Sequence, residues 1–255
     1  MLNILDHNFN LHATRIPRLT AGIEVVQRPG LTCIDSGLSC DTFNIIHLTD
    51  TGQFQAADLK LILDHFRNKQ FAYCLWINRE QLSPEVAYLF NELRLTRQNA
   101  EPGMVLDLNH YREITHPLHA SIRLARTEDD VRQFADIIAR NWDPPDEHVR
   151  QYYARTAAHY LDPENQIRLA LCYEGNTPAG VVEIFASDRE TIGLYGLATL
   201  LSFRGRGIGN ALMTYALNLA LRDGYQQAIL QASEDGIGIY ERLGFREITT
   251  FYEYA

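Results

Sequence analysis

Apolar and polar positions alternate with helical and strand periods along the C-terminal half of the chain. From Ile208 the apolar residues fall at Ala211, Leu212, Tyr215, Ala216, Leu219 and Ala220, the spacing of one buried helix face. Asp223-Gly224 stops this helix. Gln227 to Ala232 reads as a short buried strand, and a helix is predicted from about Ile237 to Leu243, with Gly244 suited to its left-handed exit. Arg246 to Tyr254, rich in Thr, Phe and Tyr, is predicted to close with a strand. Upstream, a strand starts at Ser121-Ile122-Arg123-Leu124-Ala125. Thr127 followed by Glu128-Asp129-Asp130 is a helix start, a cap residue and then acid in the first turn. Val131, Phe134, Ile137 and Ile138 supply its buried stripe, Trp142 to Asp146 interrupts it, and a second helix runs from about Asp146 to Tyr160. Arg168 to Tyr173 and Ala179 to Ala186 read as hairpin strands around Glu174-Gly175-Asn176-Thr177. A third strand starts near Thr191.

The first half carries a similar alternation. Asn44 to Leu48, Phe71 to Ile77 and Met104 to Leu108 read as strands; Leu59, Ile62, Leu63 and Phe66 form a helix stripe; Ser83-Pro84-Glu85 opens another helix. Pro117 breaks the periodicity, so a linker is expected over His116 to Ala120, dividing a domain 1–118 from a domain 121–255. His116 and His119 flank Pro117 with no third ligand in view, which favours a linker over a metal site.

Composition narrows the classes. The 255 residues are enough for one large or two small domains. A net charge of −9 argues against broad binding to nucleic acid or anionic membranes. Cys33, Cys40, Cys74 and Cys172 lack metal-ligand spacing, and free thiols in a reducing cytoplasm are the expectation, a Cys33–Cys40 disulfide being the lesser alternative. Met1 to Asn10 lacks the basic head and apolar core of a signal peptide, and no apolar run reaches membrane-spanning length. A cytoplasmic protein is expected, with no metal; monomer and homodimer both stay open.

The chemistry centres on Arg204-Gly205-Arg206-Gly207-Ile208-Gly209. It follows an apolar run ending at Leu201 and opens the long amphipathic helix. Glycines let an anion approach the backbone there, free N–H groups point at it, and the helix dipole favours negative charge. A P-loop would need Lys-Ser/Thr after the last glycine, where Asn210-Ala211 stands. A dinucleotide fingerprint would need G-x-G-x-x-G and an acid at the end of the next strand, where Gln231-Ala232-Ser233 stands. The pattern R-x-x-G-x-G, met by Arg204, Gly207 and Gly209, resembles the coenzyme A loop of the GNAT acyltransferase superfamily. Tyr240-Glu241-Arg242-Leu243-Gly244-Phe245 resembles that superfamily's Y-E-x-L-G-F segment. The resemblance covers roughly residues 121–255. It implies a GNAT-like α/β fold with a mixed sheet, and the first half then reads as a degenerate repeat. Its junction Thr49-Asp50-Thr51-Gly52-Gln53 has no arginine and carries an aspartate that would repel phosphate. That half is expected to pack against the second or to shape the acceptor pocket.

What the resemblance implies chemically is direct transfer of an acetyl group from acetyl-CoA to an amine of a small molecule or peptide. Residues 204–209 (Arg204, Gly205, Arg206, Gly207, Ile208 and Gly209) would hold the diphosphate. The edge Leu197, Ala198 and Thr199 would meet the pantetheine arm, and the N–H of Leu197 would polarise the thioester carbonyl. Tyr240 matches the general acid for the departing thiolate. Ser233 stands where many relatives have Asn, and its hydroxyl is expected at the cofactor. Glu183, a lone carboxylate within Val181-Val182-Glu183-Ile184-Phe185, is the candidate base, acting directly or through water; alternation could equally turn it to solvent. Tyr195 and Glu234-Asp235 are reserve candidates. Asp143, Asp146 and Glu147, in the loop from Asn141 to His148, could attract a cationic amine or simply cap a helix. A non-catalytic coenzyme A-binding regulatory module, and an acyltransferase using another acyl group or an oxygen nucleophile, remain alternatives.

Overall fold

Residues 4–255 are described by a computed structural model of the chain. In order they form α1 (Ile4–Arg15), β1 (Glu24–Arg28), β2 (Leu31–Asp35), β3 (Ile45–Leu48), α2 (Ala56–Lys69), β4 (Cys74–Asn78), α3 (Pro84–Glu92), β5 (Arg97–Asp107), β6 (Ile122–Leu124), α4 (Glu128–Ala139), α5 (Glu147–Leu161), β7 (Ile167–Glu174), β8 (Thr177–Ala186), β9 (Thr191–Thr199), α6 (Ile208–Arg222), β10 (Gln227–Gln231), α7 (Ile237–Arg242) and β11 (Arg246–Tyr254). They make two compact units: residues up to Gly103 together with Glu247–Ala255, and Met104–Arg246.

In the first unit the strands run β1-β2-β3-β4-β11-β5. The β1–β2 hairpin turns at Pro29-Gly30, and only glycine fits, because φ is +68° and a Cβ would fall 2.0 Å from the Asp50 carbonyl oxygen. β3 and β4 are the unit's parallel pair, as their helical connection through α2 requires. Leu59, Leu63 and Phe66 of α2 pack with Leu31, Ile46, Leu75, Ile77 and Phe90 in a dry core. Ser83 caps α3 by accepting the Val86 N–H, with Pro84 in the first turn. A buried polar chain ties α1 to the sheet. His47 Nε2 lies 3.1 Å from Asp6 Oδ1, the Asn78 amide donates to Asp6 Oδ2 at 2.9 Å, and Thr249 donates to Asn78 at 2.7 Å. At the junction after β3, the Asp50 carboxylate accepts the Gly52 N–H at 2.9 Å and the Gln53 amide at 2.6 Å. The turn is closed by the chain's own acid.

In the second unit the strands run β6-β7-β8-β9-β10-β5. Thr127 and Asp130 form a full capping box at the start of α4, and Asp146 caps α5. α6 ends as its pattern predicts: Gly224 is left-handed at φ +86° and Gly244 closes α7 at φ +95°. Leu212, Ala216 and Ala220 of α6 pack on Val182 and Ile184 of β8, Leu194 of β9 and Leu230 of β10. Both units contain antiparallel strands that lead into a parallel pair, β3/β4 in the first and β9/β10 in the second.

The division falls elsewhere than at 118/121. The last strand belongs to the first unit, because Phe251 to Tyr254 pair antiparallel with Asn78 to Leu75 of β4. The expected linker is a 3-10 turn, Pro117–Ser121, within the second unit. α1 and the β1–β2 hairpin have no counterpart in the periodicity of the sequence. All four cysteines are free thiols, and burial pushes Cys33 up to about 12 and Cys172 to about 11.

Candidate active site

β9 leads through a short turn, Leu201–Phe203, into the glycine loop. Gly205 and Gly207 both have positive φ, +76° and +81°, which L side chains avoid. Gly207 is the N-cap of α6, and no side chain caps the helix. The first-turn N–H groups are therefore left to whatever binds in front of them. Gly209 serves differently: a Cβ there would meet Ile239 Cδ1 at 3.3 Å and Thr199 Oγ1 at 3.9 Å. It lets α6 approach α7 and the end of β9. Ile208 is buried and fixes the helix start in the core.

The two arginines differ. Arg206 is held by both oxygens of Glu174 at 2.6 and 2.8 Å and stacks over Phe203. Arg204 has its Nε on the Thr199 carbonyl at 3.3 Å, and its nearest carboxylate, on the exposed Asp235, is 3.9 Å away. Arg204 thus keeps the more available charge beside the loop.

Next to the loop the sheet opens. β9 and β10 pair only over Thr191 to Gly193 and Gln227 to Ile229. Beyond that point the two strands part. Across β9 on its other side, Val181 pairs with Ala198 and Glu183 with Tyr195, so Gly196 and Leu197 together face Val182 alone. This is a β-bulge, and Gly196 supports it at φ +56°. The bulge and the parting bring Leu197, Ala198 and Thr199 to the open edge that leads into the glycine loop.

Glu183 is buried at 3% exposure. Its flanking residues Val182 and Ile184 pack toward α6, so alternation turns Glu183 to the α4/α5 face rather than to solvent. There it is surrounded by phenols. Tyr153 of α5 donates toward it at 3.5 Å, and Tyr195 is its cross-strand partner. Burial, followed by the Glu183 charge, holds the Tyr152, Tyr153 and Tyr195 hydroxyls well above the usual phenol range. Tyr160 is raised by burial first and by Tyr153 next. All four stay neutral hydrogen-bonding groups near neutral pH. Sequence reading misses this ring. The tyrosines at 152, 153 and 160 are visible as an aromatic helix pattern, but nothing local says that a carboxylate from β8 meets them.

A cavity of about 650 Å³ opens between α4 and α5. Gln133, Ile137, Arg140, Arg150 and Ala157 line it, and so does Tyr153, which connects it to Glu183. Two of the three loop acids considered for attracting an amine have local duties. Asp146 accepts the His148 N–H at 2.8 Å, and Glu147 pairs with Arg150, which also holds Asp136 at 2.6 Å.

Tyr240 is buried on α7, and its ring packs edge to face with Phe245. The next residue back, Ile239, touches the Gly209 position, so the glycine loop and the Y-E-x-L-G-F segment are packed together. Ser233 is exposed just past β10, and its carbonyl accepts from Gly236 at 2.9 Å. Glu234 and Asp235 are exposed in the same turn. His119 bonds Thr214 and His116 accepts from Leu118, so the two histidines share no common ligand point. Among the described residues no group of three His, Cys, Asp or Glu side chains is placed to hold a metal ion, and no helix is long and apolar enough to cross a membrane.

The second unit thus presents an open sheet parted at a parallel pair, with a bulged strand feeding an uncapped, glycine-led helix. Residues 131–245 match the family described as Acetyltransferase (GNAT) family, and the second unit carries a domain of that family of acyltransferases. The GCN5-related N-acetyltransferase from Kribbella flavida shares the fold over 100% of this chain and 96% of its own, with a TM-score of 0.70 at 18% identity. An acetyltransferase of the GNAT family from Novosphingobium aromaticivorans covers 91% of this chain and 90% of its own, with a TM-score of 0.58 at 17% identity. A tandem GNAT protein from the clavulanic acid biosynthesis pathway covers 88% of this chain and 77% of its own, with a TM-score of 0.57 at 16% identity. The GNAT-like fold therefore extends over both halves of the chain. No curated protein matches it in sequence.

Proposed function

We propose that the protein is an N-acetyltransferase that moves an acetyl group from acetyl-CoA directly to a primary amine of a small molecule or peptide. The observation that carries this reading is the parted β9/β10 pair leading straight into an uncapped helix start with two left-handed glycines. A linear carrier with a phosphorylated end and a thioester end fits that combination. The backbone of residues 204–209 would hold the diphosphate, with Arg204 adding charge and Arg206 framing the loop through Glu174. Leu197, Ala198 and Thr199 would bond the amide-bearing arm, and the Leu197 N–H would meet the thioester carbonyl as negative charge grows on its oxygen. Ser233, exposed beside the end of β10, would reach the cofactor directly or through a water.

An amine is mostly protonated at neutral pH and must lose a proton to attack. Glu183 would take it, directly or through water, and the phenols around the carboxylate would hold it in place. The amine nitrogen then bonds the acyl carbon, the carbon–sulfur bond breaks, and Tyr240 gives a proton to the departing thiolate. The cavity beside Tyr153 is the acceptor's route to Glu183. A buried carboxylate that accepts from Tyr153, itself a wall of the cavity, favours a catalytic site over a purely cofactor-binding module. Thiol release from acetyl-CoA, measured with the full chain against a panel of primary amines, tests the reading. Amine-dependent release is expected, and binding without release for every amine would leave only the regulatory module.

A further inference from the structure

Gln231 closes β10 one step beyond the paired region. Its Nε2 is buried and has no hydrogen-bond partner among the described residues. A buried amide left without a partner costs stability, and an apolar side chain of similar size would avoid that cost. Its neighbours Leu230 and Ala232 face the α6 core, so alternation places Gln231 on the opposite face, the one that carries Glu183. The parallel register pairs Ile229 with Gly193. Counted two residues past that last pair, Gln231 corresponds to Tyr195, the cross-strand partner of Glu183. Glu183, Tyr195 and Gln231 thus form a row across β8, β9 and β10 on one face, with the gap between the last two.

We propose that Gln231 is a second hydrogen-bond donor to the acyl carbonyl, acting from the β10 edge of the gap while Leu197 acts from the β9 edge. The assignment rests on the acetyl-transfer reading above. A carbonyl oxygen has two lone pairs, and donors on both edges hold it in one orientation. They also stabilise the charge that develops on it when an amine attacks. The buried Nε2 of Gln231, with no acceptor among the described residues, is a donor of this kind. Gln231 then counts as a residue that touches the reacting group, and its chemistry selects carriers that present a carbonyl in the gap over the free thiol.

Calorimetric titration of the full chain with acetyl-CoA and with coenzyme A, for wild type and Gln231→Leu, tests this, alongside thermal unfolding without ligand. The variant is expected to bind coenzyme A within about twofold of wild type and acetyl-CoA about five- to tenfold more weakly, the worth of one hydrogen bond. Its ligand-free unfolding midpoint should match or exceed that of wild type, because an orphaned amide has been removed. Gln231→Met, which keeps the chain length, serves if the leucine does not fold. Equal effects on both ligands, or none on either, would overturn the role. If wild type binds neither ligand, the thioester reading itself falls, and the role of Gln231 with it.

Discussion

The ring of Tyr240 lies against the Cα of Gly236, so closely that a methyl group at 236 would fall 2.7 Å from the ring carbon Cε2 and 2.9 Å from the hydroxyl. Glycine at 236 is thus part of how the phenol is placed. Gly236→Ala should displace the ring and cost about 1–3 kcal/mol of stability, the usual effect of overpacking. If the Tyr240 hydroxyl protonates the leaving thiolate, kcat falls at least about tenfold while KM for acetyl-CoA stays near wild type. Steady-state kinetics and denaturant unfolding of the same variant separate the two effects. An unchanged kcat with a displaced ring would remove Tyr240 from the chemistry.

Gly207 is expected to be the more sensitive of the two left-handed loop glycines. A methyl group at Gly205 would project into open space, whereas one at Gly207 would meet the His116 ring at 3.5 Å. Either alanine carries the backbone penalty of about 1–2 kcal/mol for a positive φ. Gly207→Ala should also weaken acetyl-CoA binding about tenfold or more, since it caps α6 where the diphosphate would sit. Calorimetric titration of both variants gives the comparison.

The Glu183 carboxylate should be worth much more to turnover than to folding. Glu183→Gln preserves the shape of the buried side chain, so the protein should fold with an acetyl-CoA affinity near wild type. Its kcat is expected to fall about 10²-fold or more. Tyr153→Phe, which removes the hydroxyl that reaches Glu183, should give a smaller loss of the same kind. Thiol release at saturating acetyl-CoA measures both.

Stability of the first unit should depend on pH through a pair of carboxyls. Glu101 on β5 is raised from its usual 4.5 to about 7, by burial first and then by Glu253. Glu253 on β11 is raised as well, again by burial first. Asn99 donates to both carboxyls, and the Cys74 thiol donates to Glu253. Asp41 adds like charge to Glu253 and Cys74. A carboxyl raised in the folded state binds its proton more tightly there than when unfolded. Its contribution is full below about pH 4.5 and is lost as pH rises through about 7. The unfolding midpoint should therefore fall between pH 5 and 8 more steeply in wild type than in Glu101→Gln, as calorimetry across roughly that range would record. Parallel profiles would contradict the pairing.

The sequence is most legible where structure is set locally. The start of α6, its stop at Asp223-Gly224, the Thr127 cap and the hairpin at Glu174 to Thr177 each depend on residues within a turn or two. The glycine loop belongs with these, because positive φ and an absent cap are properties of Gly205 and Gly207 themselves. Less legible are features that need distant partners. Phe251 pairs with Asn78 across more than half of the chain, and no periodicity names that partner. The same holds for Glu183: alternation allows it either face, and only the packing of α5 shows that it meets Tyr153. The register of β9 against β10, which sets where the two strands part, can be read only from the fold.

The central claim is that the backbone around Gly207 and Gly209 binds the diphosphate of acetyl-CoA. Calorimetric titration of the full chain with acetyl-CoA, for wild type and for the Gly207→Val/Gly209→Val variant, tests it most directly. One site per chain is expected in wild type, and no measurable binding in the variant with its fold retained by circular dichroism. Binding retained in that folded variant, or absent from wild type, would contradict the claim.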